Sequence, residues 1–155
     1  MCMKRISAKT DEIINSSTHA VGIGLSIVAL VLMVRRAALY GTAEAVVGGA
    51  VFGAGMIVLY TASTIFHATK RWRLKYKLNK FDHSAIYVLI AATYTPVTLV
   101  TLGGAWGWTV FGIIWAMALA GIIFKVFFYT AKYRLISTIA YIAMGLMIVI
   151  ALEPL

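Results

Sequence analysis

Apolar residues in this chain run in long blocks rather than alternating in short ones. Stretches of about 18 to 22 residues recur, separated by short polar or basic segments, and each is long enough to cross roughly 30 Å of hydrocarbon as a helix. The first span is expected over 16–34, bounded by Arg35 and Arg36, and the second over 44–67. Gly48, Gly49, Gly53 and Gly55 fall inside the second. Such glycines would weaken a helix in water, but in lipid they let neighbouring helices approach closely. The basic stretch Lys70 to Lys80 reads as a loop, and the third span follows over 82–102 with Pro96 inside it, which predicts a kink. Gly103-Gly104 reads as a tight turn into a fourth span over 106–124, whose Trp106 and Trp108 suit the aromatic belt at a membrane surface. A further basic segment, Lys125 to Arg134, precedes a fifth span over 135–152. The expected fold is an all-α integral membrane protein, a single transmembrane domain over 1–155 built as a bundle of about five helices.

Composition agrees with a lipid solvent. Of 155 residues 62% are hydrophobic and only 12% charged, too few charges to cover the surface of a water-soluble domain. The net charge of +9 carries no aromatic-interleaved basic patch, so nucleic acid is not an expected partner. Instead the basic residues report topology. Twelve lie on one side of the five spans (Lys4, Arg5, Lys9; Lys70, Arg71, Arg73, Lys75, Lys77, Lys80; Lys125, Lys132, Arg134), against Arg35 and Arg36 on the other. This asymmetry predicts a cytoplasmic amino terminus. A polar leader containing Asp11 and Glu12 precedes the first apolar run, so a cleavable signal is not expected. The single cysteine, Cys2, has no partner for a disulfide or a thiolate metal cluster.

Ionisable groups in or near spans are costly and need a partner, a watery cavity or a task. Glu12, Asn15 and His19 stand at i, i+3 and i+7 on one helical face, and Ser63 and His67 share a face at i and i+4. Asp82 and His83 open the third span. By the predicted topology all of these lie at the cytoplasmic interface. Neutral imidazole and carboxylate together suit zinc, and a catalytic zinc usually takes three protein ligands and keeps one open position for water. His67 and Asp82 are reasonable members of such a set, and His19 and His83 are the remaining imidazoles. No HExxH and no cysteine pair completes it. Plainer roles are open to each residue taken singly. A serine in a membrane helix often bonds back to its own backbone, as Ser63 could, and Glu12 and Asp82 could simply pair with the basic interface.

Taken together, Glu12-x-x-Asn15-x-x-x-His19, Ser63-x-x-x-His67, and Asp82 with the downstream Ala91-Ala92-Thr93-Tyr94-Thr95-Pro96 resemble the haemolysin III family. That family groups with the progestin and adipoQ receptors and, more distantly, with the alkaline ceramidases. The resemblance implies a seven-helix bundle with a cytoplasmic amino terminus, of which this chain would lack the last two helices. It also implies a zinc ion near the cytoplasmic face, with His67 as a ligand, Asp82 holding the zinc-bound water and Ser63 lining the same site. Two further ligands would come from an HxxxH pair on the seventh helix, which this sequence does not contain.

Three functions are therefore expected to compete. The first is a zinc-dependent hydrolase of a membrane lipid amide or ester. The second is a membrane-permeabilising (cytolytic) or ion-handling protein without catalysis, and the third a receptor or regulator of membrane composition. Membrane lipid is the expected partner, with a homo-oligomer as one way to cover exposed helix faces, and a bacterial inner membrane is the expected location.

Overall fold

A computed structural model describes residues 2–128 and 134–151. They form five helices in sequence, α1 (Cys2–Tyr40), α2 (Ala43–Ala68), α3 (Trp72–Pro96), α4 (Gly104–Ile123) and α5 (Arg134–Ala151), with no strand among the described residues. Of the expected features, Lys132, Leu152 and Glu153-Pro154-Leu155 lie outside the described residues. Four helices are long and apolar enough to cross a membrane, and the fifth contributes a shorter apolar stretch, Leu135–Val149.

Two details differ from expectation. The first helix does not stop at Arg35 and Arg36 but runs on to Tyr40. The basic stretch read as a loop is mostly helix, because α3 begins at Trp72, ten residues before Asp82. Arginine, lysine and leucine are strong helix formers, so these residues continue the helix past the apolar run instead of leaving it. After Pro96, α3 passes into a π-helical stretch, Val97–Leu102. Gly103 and Gly104 then reverse the chain with φ of 58° and 52°, a left-handed conformation that a side chain would disfavour.

Consecutive helices are antiparallel neighbours, and α2 sits between α1 and α3. Its glycines make both contacts. A Cβ on Gly53 would stand 2.7 Å from Leu30 Cβ and 3.0 Å from Leu30 Cα, while one on Gly55 would stand 2.6 Å from Ala92 Cβ. Helices that touch backbone to backbone in this way replace the missing hydrophobic drive in lipid with close van der Waals packing. On the other side of α3, Tyr87, Ala91 and Tyr94 pack with Ile114 and Ala118 of α4 and Met144 of α5.

Several hydroxyl side chains within the bundle are satisfied by their own helix, as a low-dielectric surround favours. Ser26 donates to Gly22 O at 2.7 Å, Thr64 to Tyr60 O at 2.7 Å and Thr95 to Ala91 O at 3.0 Å. Tyr94 bridges helices instead, its hydroxyl donating to the carbonyls of Met144 and Gly145 at 2.8 Å each. Outward-facing Val21, Leu25, Val31 and Leu32 are all more than half exposed, an arrangement that suits lipid and not water.

Candidate functional site

Because the helices alternate in direction, the start of α1, the end of α2 and the start of α3 lie at one end of the bundle. The i, i+7 spacing of Glu12 and His19 and the i, i+4 spacing of Ser63 and His67 set two polar pairs on facing helices. Since α1 and α2 are antiparallel, the pairs match in reverse order. Glu12 Oε2 lies 2.9 Å from His67 Nδ1, and His19 Nδ1 lies 2.7 Å from Ser63 Oγ. The two imidazoles meet edge to face with centroids 5.8 Å apart, and Tyr60 closes the inner side at 5.8 Å from His19.

The second oxygen of Glu12 is held by α3, where Lys75 Nζ donates to Oε1 at 2.7 Å. Lys75 also lies over the Phe66 ring, 5.1 Å from its centroid. Glu12 is thus gripped on both oxygens while its side chain stays 39% exposed, so solvent screens the attraction and the pair orients more than it stabilises. Ser63, by contrast, is buried between the helices at 4% exposure.

Orientation has chemical content. A carboxylate can only accept, so His67 must donate its Nδ1 proton to Glu12, which leaves the Nε2 lone pair available. The same carboxylate-backed imidazole serves enzymes as a general base and metal sites as a ligand.

Asp82 and His83 interact with each other and with their own helix. The Asp82 carboxylate lies 3.8 Å from His83 Nδ1, which itself donates to Asn79 O at 2.8 Å. The His83 carbonyl accepts from the Tyr141 hydroxyl at 2.8 Å, tying α3 to α5. Asn15 contributes a backbone carbonyl, which accepts from Thr18 Oγ1 at 3.1 Å. The helices therefore bring Glu12, His19, Ser63 and His67 together, while no hydrogen bond or ion pair links Asp82, His83 or the Asn15 side chain to them among the described residues. Lys75 is a member the sequence did not single out, its charge having been counted only toward topology. Its place in the first turn of a helix beginning five residues after His67 is the signal that would have found it.

The donors among the described residues do not assemble a zinc site. Among the described residues no three histidine, cysteine or acidic side chains converge as ligands. Glu12 and His67 are bonded to each other, and His19 is turned to Ser63, whereas zinc needs its nitrogen and oxygen donors about 2 Å from one point. His67 Nε2 offers one coordination position.

Beside the pair lies a cavity of about 700 Å³, within the range of small-molecule sites. Glu12, His67 and Lys75 line it together with Lys9, Lys70, Ser16 and Ser17.

Comparison with known proteins gives one matching family and several relatives. The family described as "Haemolysin-III related" matches residues 7–155. Hemolysin-3 of Bacillus cereus is 46% identical over 145 residues, covering 94% of this chain and 66% of the relative. The Hemolysin-3 homolog of Bacillus subtilis (strain 168) is likewise 46% identical over 145 residues, covering 94% and 68%. The human monocyte to macrophage differentiation factor is 31% identical over 101 residues, or 61% of this chain and 42% of its own. The chain thus spans about two thirds of the length of its bacterial relatives.

Proposed function

Because the chain belongs to the haemolysin III family, we propose that this integral membrane protein acts on the lipid around it, as a hydrolase of a membrane lipid amide or ester centred on His67. The observation that carries the reading is the 2.9 Å contact between Glu12 and His67 at the wall of a 700 Å³ cavity. Glu12 keeps the proton on Nδ1, so Nε2 can accept one from a water in the cavity as the water oxygen attacks the lipid carbonyl carbon. When the tetrahedral adduct collapses, the carbon–nitrogen or carbon–oxygen bond breaks and the leaving amine or alcohol takes that proton back from Nε2. The carboxylate steadies the transient imidazolium, the role a buried aspartate has in serine proteases. Ser63 and His19 brace the opposite side of the imidazole, and Asp82, two turns beyond Lys75 on α3, supplies a second carboxylate at the same end. Zinc enters the proposal through the free nitrogen of His67, and its other donors would come from outside the described residues.

The twelve-to-two split of basic residues supports a cytoplasmic position for this end of the bundle, in a bacterial inner membrane. Mass spectrometry of lipid extracts incubated with purified protein tests the reaction: a free fatty acid is expected with the wild type and absent with His67→Ala. Equal product from both removes His67 from the reaction.

Membrane permeabilisation is the second reading, favoured by 46% identity to a relative named Hemolysin-3. A pore needs polar side chains through the full bilayer, yet Ser26, Thr64 and Thr95 spend their hydroxyls on their own helices. A water path would then form between copies, at outward faces that a homo-oligomer would cover. Dye release from liposomes that persists in Glu12→Ala and His67→Ala proteins, without lipid hydrolysis, decides for lysis.

A further inference from the structure

We infer that the cavity beside His67 binds the phosphate of an anionic lipid headgroup, held by Lys9 of α1 and Lys70 of the α2–α3 connection. This deepens the reading of the cavity as a lipid site and rests on it. Glu12 is the one acidic residue in the lining, and both its oxygens are engaged, by Lys75 at 2.7 Å and by His67 at 2.9 Å. Lys9 and Lys70 form no ion pair among the described residues, so the cavity holds two uncompensated ammonium groups.

The lining also offers neutral donors. Ser16 and Ser17 line the same space, and neither hydroxyl forms a hydrogen bond among the described residues. Two cations with two hydroxyl donors match a phosphate, which offers several acceptor oxygens and up to two negative charges. Lysine, a compact point charge on a flexible stem, suits such a group without the planar fork that carboxylates favour.

Depth supports a lipid source. The cavity lies where α1 and α2 reach the end of the bundle, and its remaining walls include apolar Ile13 and Ala68. A phosphate anchored there leaves the attached acyl chains beside the apolar length of α1, which is lipid-facing at Val21 and Leu25. The ester carbonyls of such a lipid, next to its phosphate, would then fall on the His67 side. A free phosphate ion shares the headgroup chemistry but gains nothing from the apolar walls.

The test uses the whole chain in an uncharged detergent, with thermal unfolding followed at increasing concentrations of short-chain phosphatidic acid, short-chain diacylglycerol or inorganic phosphate. Phosphatidic acid is expected to raise the Tm and diacylglycerol to leave it unchanged. A Lys9→Gln/Lys70→Gln protein should bind phosphatidic acid about 25-fold more weakly at low salt, from roughly fivefold per lysine. Lys9→Arg/Lys70→Arg should restore binding, which separates lost charge from lost fold. Inorganic phosphate matching phosphatidic acid at equal concentration would overturn the lipid source. An unchanged response in the glutamine protein, or an equal response to diacylglycerol, would overturn the site. If lysine-dependent binding holds while neither wild type nor His67→Ala releases fatty acid, the hydrolase reading fails and this one stands. Turnover of uncharged lipids without phosphatidic acid binding gives the reverse.

Discussion

Placing alanine at Gly53 should force α1 and α2 apart, and the same change at Gly24 should not. The new Cβ on Gly53 would sit 2.7 Å from Leu30 Cβ and 3.0 Å from Leu30 Cα, where ordinary contact begins at 3.4 Å. The helices must therefore separate by about 0.4 to 0.7 Å, since a backbone atom cannot swing aside as a side-chain tip can. Overpacking of this kind costs about 1–3 kcal/mol, offset by about 1 kcal/mol of improved helix propensity, which leaves up to about 2 kcal/mol of net loss. At Gly24 a Cβ meets nothing within 4 Å, so only the propensity gain remains. Reversible unfolding in mixed micelles reads the difference directly, with Gly53→Ala less stable than wild type and Gly24→Ala equal or more stable. Indistinguishable stabilities for the two variants would refute the close α1–α2 contact, and with it the geometry that aligns Glu12 with His67.

Further outcomes follow from individual contacts. Glu12→Gln replaces an obligate acceptor by an amide that can also donate, so His67 loses its fixed tautomer, and lipid turnover should fall by about 10²-fold or more while fold and expression hold. Lys75→Met frees one oxygen of Glu12 but leaves the His67 bond, and should lower turnover by less than Glu12→Gln does in the same assay. Tyr94→Phe removes the donor to the Met144 and Gly145 carbonyls and should cost about 1 kcal/mol in the micelle unfolding measurement, with turnover intact.

The lipid-facing class of the protein was legible in the spacing of apolar blocks, because a bilayer imposes a length on each helix that no soluble fold requires. Ser63 with His67, and Glu12 with His19, were legible as helical faces for the same reason of periodicity. Their partners across the helix boundary were not. Whether Glu12 meets His67 or the basic interface depends on how α1 is rotated against α2, and that rotation is fixed by close approaches such as that at Gly22, where a Cβ would stand 2.8 Å from the Tyr60 ring. The first turns of α3 were read as loop because their charges outweighed their helix propensity in a search for apolar runs. That reading hid Lys75, which reaches Glu12 only because the helix starts at Trp72. Asp82 lies on the same helix two turns further on, on the face of Lys75, and which groups it meets across the bundle is set by helix packing that periodicity does not report.

The most direct test of the account is fatty-acid release from a lipid amide or ester by the protein reconstituted in liposomes, compared between wild type and His67→Asn. Asparagine keeps a polar side chain next to Glu12 but has no nitrogen that takes up a proton near neutral pH. The account predicts release by the wild type and a rate at the level of protein-free liposomes for the variant. Equal release by both would contradict it.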